Sequence, residues 1–164
     1  MNSNDFIWWL DGKLIGGMMT PIIDPLRRAN GRGLLTDFDD DLPDLYALGI
    51  RSVVSLINAP GEDKIYESAG FSFLSSPIRD FQAPDFEQCL EICQFIENSP
   101  KATLVTCEGG LGKTGTILTA WLLYKGANPE EALRSVRQHE PGAVESHAQL
   151  LFIQQFYEFL TASN

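Results

Sequence analysis

Residues 101–125 constrain the fold more than any other part of the chain. Lys101-Ala-Thr-Leu-Val-Thr106 reads as a strand, Cys107-Glu-Gly-Gly-Leu-Gly-Lys-Thr114 as a tight turn, and the apolar residues beyond Gly112 as a helix over about 113–125. Glycines at 109, 110 and 112 let the turn approach a ligand closely and adopt backbone conformations that a Cβ would forbid. Successive amides can then converge on one tetrahedral oxyanion, and the helix that follows adds its positive end. A phosphate group is the natural guest, and residues Glu108, Gly109, Gly110, Leu111, Gly112 and Lys113 are its expected cradle. A bare strand-to-helix turn would not need three glycines in four residues between a cysteine and a lysine.

Two kinds of phosphate loop compete for this stretch. The nucleotide-binding pattern G-x-x-x-x-G-K-[ST] finds its last three positions in Gly112-Lys113-Thr114, but its first glycine falls on Cys107. Such a loop also opens its domain, with later strands carrying a magnesium-binding aspartate. Here 50 residues follow Thr114 and all read as helical, over about 129–138 and 145–160. The alternative is a cysteine, five residues, an arginine, then a serine or threonine: Cys107 and Thr114 are in place, and Lys113 stands where the arginine is expected. At the base of such a loop, amide dipoles and a cation favour the thiolate, the nucleophilic form of Cys107. The Thr114 hydroxyl can hydrogen-bond that sulfur, and an acid is needed to protonate the departing oxygen. Asp80, 27 residues earlier in the loop Pro77-Ile-Arg-Asp-Phe-Gln-Ala-Pro84, is the candidate acid. A solvated carboxylate paired with Arg79 is the competing reading of Asp80.

The rest of the chain reads as an α/β protein with a mostly parallel central sheet flanked by helices. Phe6–Leu10 and Lys13–Gly16 form a hairpin across Asp11-Gly12, with Trp8 and Trp9 as packing anchors. Helices are expected over 37–48, 62–69 and 85–98, and strands over 51–57 and 71–74. Nothing divides the chain, so residues 1–164 are expected to form a single domain. The aspartates at 37, 39, 40, 41 and 44 resemble a calcium loop only superficially, because Leu42 and Leu48 stand where glycine and glutamate are required. Carboxylates favoured by a helix N-terminus explain them. Cys89 and Cys93, one turn apart, are expected to be buried apolar residues rather than metal ligands, since the chain has only two histidines.

A net charge of −10 disfavours nucleic acid and anionic membranes as partners. No apolar run reaches the roughly 20 residues of a membrane span, and the N-terminus lacks the pattern of a signal peptide. A cytoplasmic monomer is the resulting expectation.

Thr106-Cys-Glu-Gly-Gly-Leu-Gly-Lys-Thr-Gly-Thr116, Pro77-Ile-Arg-Asp-Phe81 and Pro141-Gly-Ala-Val-Glu-Ser-His-Ala-Gln149 resemble the protein tyrosine phosphatase superfamily, in particular its small atypical dual-specificity phosphatases. Phe6-Ile-Trp-Trp9 and Gly12-Lys-Leu-Ile-Gly16 extend the likeness over nearly the whole chain. The resemblance implies Cys107 as nucleophile, residues 108–113 as cradle, Asp80 as general acid and Thr114 as the hydroxyl assisting the sulfur. It also implies that Glu145 and Gln149, one turn apart on one helix face, line the pocket and that Gln149 helps place the attacking water. No cofactor or metal is implied, and the partner is a phosphorylated protein or a small phosphomonoester. Two positions depart from the family pattern: Thr106 replaces a histidine and Lys113 an arginine. A lysine is a point charge and cannot reproduce the planar two-pronged grip of arginine on phosphoryl oxygens. A phosphomonoesterase slowed by about 10- to 10⁴-fold is therefore expected. A silent phosphate-binding module is the alternative, which Lys113 and Thr106 favour and Cys107, Asp80, Thr114 and Gln149 oppose.

Overall fold

The computed structural model describes residues 7–10, 12, 14–19 and 38–162. The stretch 20–37, the turn position Asp11 and the side chains of Asp39, Asp40 and Asp41 lie outside the described residues, and with them most of the aspartate cluster.

The described elements run β1 (Trp8–Leu10), β2 (Ile15–Met19), α1 (Phe38–Ala47), β3 (Ile50–Ser55), α2 (Glu62–Ser68), β4 (Ser72–Ser75), α3 (Phe86–Glu97), β5 (Ala102–Cys107), α4 (Gly112–Tyr124), α5 (Pro129–His139) and α6 (His147–Ala162). The sheet order is β1-β2-β5-β3-β4, with every pair parallel except the β1–β2 hairpin. This is the mostly parallel α/β architecture expected from the sequence. Among the described residues, no helix is long and apolar enough to cross a membrane.

Strand β5 sits in the middle of the sheet and all six of its residues are buried. A strand covered on both faces sends successive side chains to opposite layers. Accordingly, Ala102 and Leu104 join the layer under α1 and α2, while Val105 and Cys107 join the larger layer made with α3 to α6. A register irregularity between Ile50 and Ser52 brings both Ile50 and Val53 into the smaller layer, although they are an odd number of residues apart. Cys89 and Cys93 lie fully buried in the larger layer with Ile92 and Ile96, as expected of small apolar residues.

Local signals fix the helix starts. Asp85 accepts the Gln88 amide at 2.8 Å and starts α3. Asn128 and Glu131 form a reciprocal capping box before Pro129, the first residue of α5. Helix α6 begins later than the 145 expected. Ser146 is its cap, accepting the Gln149 amide at 3.1 Å, while the Gln149 carbonyl oxygen accepts the amides of Ser146 and Glu145 at 3.2 and 2.8 Å. Glu145 therefore lies in the preceding turn, where Val144 has a positive φ of 63°.

One buried charge stands apart. Glu62, at the start of α2, accepts a 2.7 Å hydrogen bond from Ser55 Oγ, while its Oε1 is buried without a hydrogen-bond partner among the described residues. Burial raises its pKa above the usual carboxylate value; the Ser55 bond opposes this and the charge of Asp63 adds to it. A carboxyl group raised in the fold weakens the fold above its folded pKa, and the loss is recovered as pH falls through that value. Glu62→Gln is expected to raise the midpoint of thermal unfolding at neutral pH by about 2–4 °C, the shift of a gain near 1 kcal/mol. That advantage should shrink as melts are recorded toward pH 4.5.

Candidate active site

The carboxyl ends of the parallel strands lie at one end of the sheet, and the chain turns there from β5 into α4. A pocket of about 280 Å³ opens at this point, lined by Asp80, Phe81, Cys107, Glu108, Gly109, Gly112, Lys113, Glu145 and Gln149. Of the expected cradle, Glu108, Gly109, Gly112 and Lys113 line this cavity together with Asp80, Cys107, Glu145 and Gln149, whereas Gly110 and Leu111 are not among its lining residues. Cys107, the last residue of β5, is 2% exposed and forms part of the wall. Thr114 lies behind it in the first turn of α4 and its Oγ1 donates to Cys107 Sγ at 3.0 Å. The first-turn amides of α4 have no acceptors within the helix, so they are available to an anion in the pocket.

Three segments from distant parts of the chain close the site. The 77–84 loop carries Asp80 and is bound at several points: Ser146 Oγ donates to the Phe81 carbonyl at 2.6 Å, and Gln149 Nε2 to the Gln82 carbonyl at 3.3 Å. Gln88 Nε2 donates to Ser76 Oγ and to the Pro77 carbonyl at 2.9 and 3.1 Å. The loop is a tied strap rather than a free flap. Phe81, which the sequence reading did not single out, stands on the rim with 63% of its surface exposed and a φ of 59°. Glu145 packs so closely over α4 that a Cβ on Gly112 would lie 2.7 Å from its Oε2. Gly112 is thus needed for this close approach as well as for the turn.

Two expectations change in detail. Glu145 and Gln149 both line the pocket, but from a turn and a helix rather than from one helix face, because Ser146 starts α6 between them. Asp80 is ion-paired with Lys113, its Oδ1 lying 2.9 Å from Nζ. The hydroxyl of Thr106, the residue at the family's histidine position, makes a long 3.5 Å bond to the Val54 carbonyl within the sheet. The loop's support comes from the other side. The Trp8 indole Nε1 donates to the Gly110 carbonyl at 2.9 Å, a contact for which the sequence carried no signal beyond the aromatic residue itself.

Comparisons with known proteins find relatives in sequence and in fold. The family model described as "Polymorphic toxin system, DSP-PTPase phosphatase" matches residues 31–127. Cyclin-dependent kinase inhibitor 3 of Sus scrofa is 28% identical over 127 residues, 74% of this chain and 60% of that protein. Phosphatidylglycerophosphate phosphatase PTPMT1 of Arabidopsis thaliana is 31% identical over 129 residues, 73% of this chain and 38% of that protein. The chain therefore spans less than two thirds of the length of either. The crystal structure of Tk-PTP in the active form superposes with a TM-score of 0.74 at 32% identity, covering 93% of this chain and 97% of that one.

Lys113 is the electrostatic centre of the pocket. It is 6% exposed, and its Nζ donates to Asp80 at 2.9 Å and to the Ile78 carbonyl at 3.1 Å, with Glu108 Oε2 2.7 Å away. Burial alone would lower its pKa. The carboxylates of Glu108 and then Asp80 outweigh that and hold it above the usual lysine value. A cation raised in this way contributes stability that is complete below the ordinary value, about 10.5, and fades as pH rises through the folded one. Lys113→Met, which removes the shared cation, is expected to speed hydrogen exchange of the 78–82 amides several-fold at neutral pH. In the unaltered chain the protection of these amides, taken relative to their intrinsic exchange at each pH, should fall only in solution more alkaline than the usual lysine value.

Proposed function

Because the chain belongs to the DSP-PTPase phosphatases of the protein tyrosine phosphatase superfamily, we propose that it hydrolyses phosphomonoesters through a phosphocysteine formed on Cys107. The observation that carries this reading is the 3.0 Å hydrogen bond from Thr114 to Cys107 Sγ, in the wall of a pocket that also holds Asp80 and Gln149. The sulfur attacks phosphorus, a P–S bond forms, and the bond to the ester oxygen breaks as Asp80 gives that oxygen a proton. Water oriented by Gln149 then attacks phosphorus, Asp80 takes its proton, and the P–S bond opens to release phosphate and the thiolate. The Thr114 hydroxyl stabilises the sulfur anion as it leaves. The substrate is a phosphorylated protein or a small phosphomonoester.

The same geometry supports slow turnover. Asp80 Oδ1 is engaged by Lys113 at 2.9 Å, a contact that must loosen before the carboxyl can serve the departing oxygen. A phosphoryl dianion must compete for Lys113 with three oxygen acceptors already in place. The observation behind the second reading, a phosphate-binding module without turnover, is this occupied lysine.

Hydrolysis of a series of aryl phosphates separates the two readings. Turnover by the unaltered chain that disappears in Cys107→Ser supports the enzyme, and vanadate binding without any turnover supports the module. Asp80→Asn is expected to slow esters with poor leaving groups far more than those with good ones, which need no proton. Equal loss across the series would make Asp80 structural.

Lys113→Arg is expected to raise kcat by about tenfold or more, since the guanidinium fork has donors for both the strap and the phosphoryl oxygens. An unchanged kcat in a normally folded variant would move the defect to Thr106.

A further inference from the structure

The loop is braced from behind by a residue of the N-terminal hairpin. Strand β1 pairs Trp8 with Gly17 of β2, and β2 runs parallel to β5, the strand that ends in Cys107. The Trp8 ring lies over Gly17, where an added Cβ would be 2.6 Å from it. That Cβ would also be 2.7 Å from the methyl group of Thr114, the residue bonded to the cysteine sulfur. From this seat, Trp8 Nε1 reaches across 102 positions of sequence to the carbonyl of Gly110 at 2.9 Å.

Gly110 is where the cradle is most easily turned inside out. Its φ is 69°, in the left-handed region that glycine visits without a Cβ penalty. The peptide between Gly110 and Leu111 has two faces, because the C=O and N–H of a trans peptide point in opposite directions. With the carbonyl turned toward Trp8, the Leu111 N–H of the same trans peptide points the opposite way, away from Trp8. A reversed peptide would present an oxygen to the ligand and repel an oxyanion. The indole N–H is a donor only, so it can bond the carbonyl and cannot bond the N–H.

We propose that Trp8 is a positioning residue of the phosphate cradle: its indole N–H holds the Gly110–Leu111 peptide in the orientation that directs the Leu111 amide at a bound phosphoryl group. The proposal rests on the cradle reading above. Trp8 touches no reacting atom, and its effect passes through one peptide plane.

The test measures the dissociation constant for orthovanadate, with the thermal midpoint, in four forms of the full chain. These are the unaltered protein, Trp8→Phe, a form with benzothienylalanine at position 8, and Trp9→Phe as a neighbouring control. Benzothienylalanine keeps the bicyclic shape and replaces the N–H by sulfur, so it removes the donor alone. Loss of one hydrogen bond of this kind predicts vanadate binding about three- to tenfold weaker in both position-8 variants. It also predicts a matching rise in KM or fall in kcat/KM for an aryl phosphate, little change in the isostere's midpoint, and unchanged binding in Trp9→Phe. If Trp8→Phe fails to fold, the isostere decides. Unaltered affinity in the isostere, with the parent chain binding normally, overturns the Trp8 role and leaves the cradle intact. No vanadate binding by the parent chain overturns the cradle reading and this one with it.

Discussion

A buried ammonium group must be surrounded by acceptors, and at Lys113 that requirement organises the whole site. The lysine is nearly inaccessible, so losing its oxygen partners would strand a charge in an apolar setting. The partners come from three places: a main-chain carbonyl of the strap, the strap's own carboxylate, and Glu108 of the loop. Satisfying one cation therefore fixes the separation between a loop built on β5 and a strap that follows β4. Arginine would meet the same need with a wider planar head and donors to spare. With lysine, each contact made to the strap is one that a phosphoryl group must win back.

The sequence made some parts of this site easy to find and left others out of sight. Cys107, Thr114 and the three glycines were legible because strand, turn and helix follow one another without interruption, so local chemistry dictates local geometry. Asp80 was legible as a carboxyl on a proline-flanked loop, but its pairing was not: sequence proximity pointed to Arg79, whereas the fold supplies Lys113. Gln149 was placed correctly in the pocket and its partner Glu145 was put one element too late. The signal that would have corrected this, Ser146 followed three residues later by Gln149, is a capping box in plain view. Trp8 shows the opposite limit. A hydrogen bond spanning 102 positions follows from sheet order and strand register, which no local pattern encodes.

The two faces of the loop are thus served by opposite ends of the chain. The N-terminal hairpin bonds the main chain of the cradle from outside the pocket, and the last described turn and helix carry Glu145 and Gln149 onto its open side. The central strand supplies Cys107 and little else. Glycines at the crossing points, Gly17 beneath Trp8 and Gly112 beneath Glu145, allow both supports to come within contact distance. A side chain at 112 would push Glu145 away, and one at 17 would press on Trp8 and on Thr114 together.

Ser146 carries a consequence that reaches beyond the pocket. Its hydroxyl is at once the cap of the last described helix and the tether of the strap, accepting from Gln149 and donating to Phe81. The first turn of that helix and the position of the candidate acid are therefore a single mechanical unit. Whatever unwinds that turn, whether heat, denaturant or a binding partner pulling on the helix from its far end, slackens the strap in the same event. A force applied some 24 Å away, the length of a helix of 16 residues, would then reach the strap through Ser146 and Phe81.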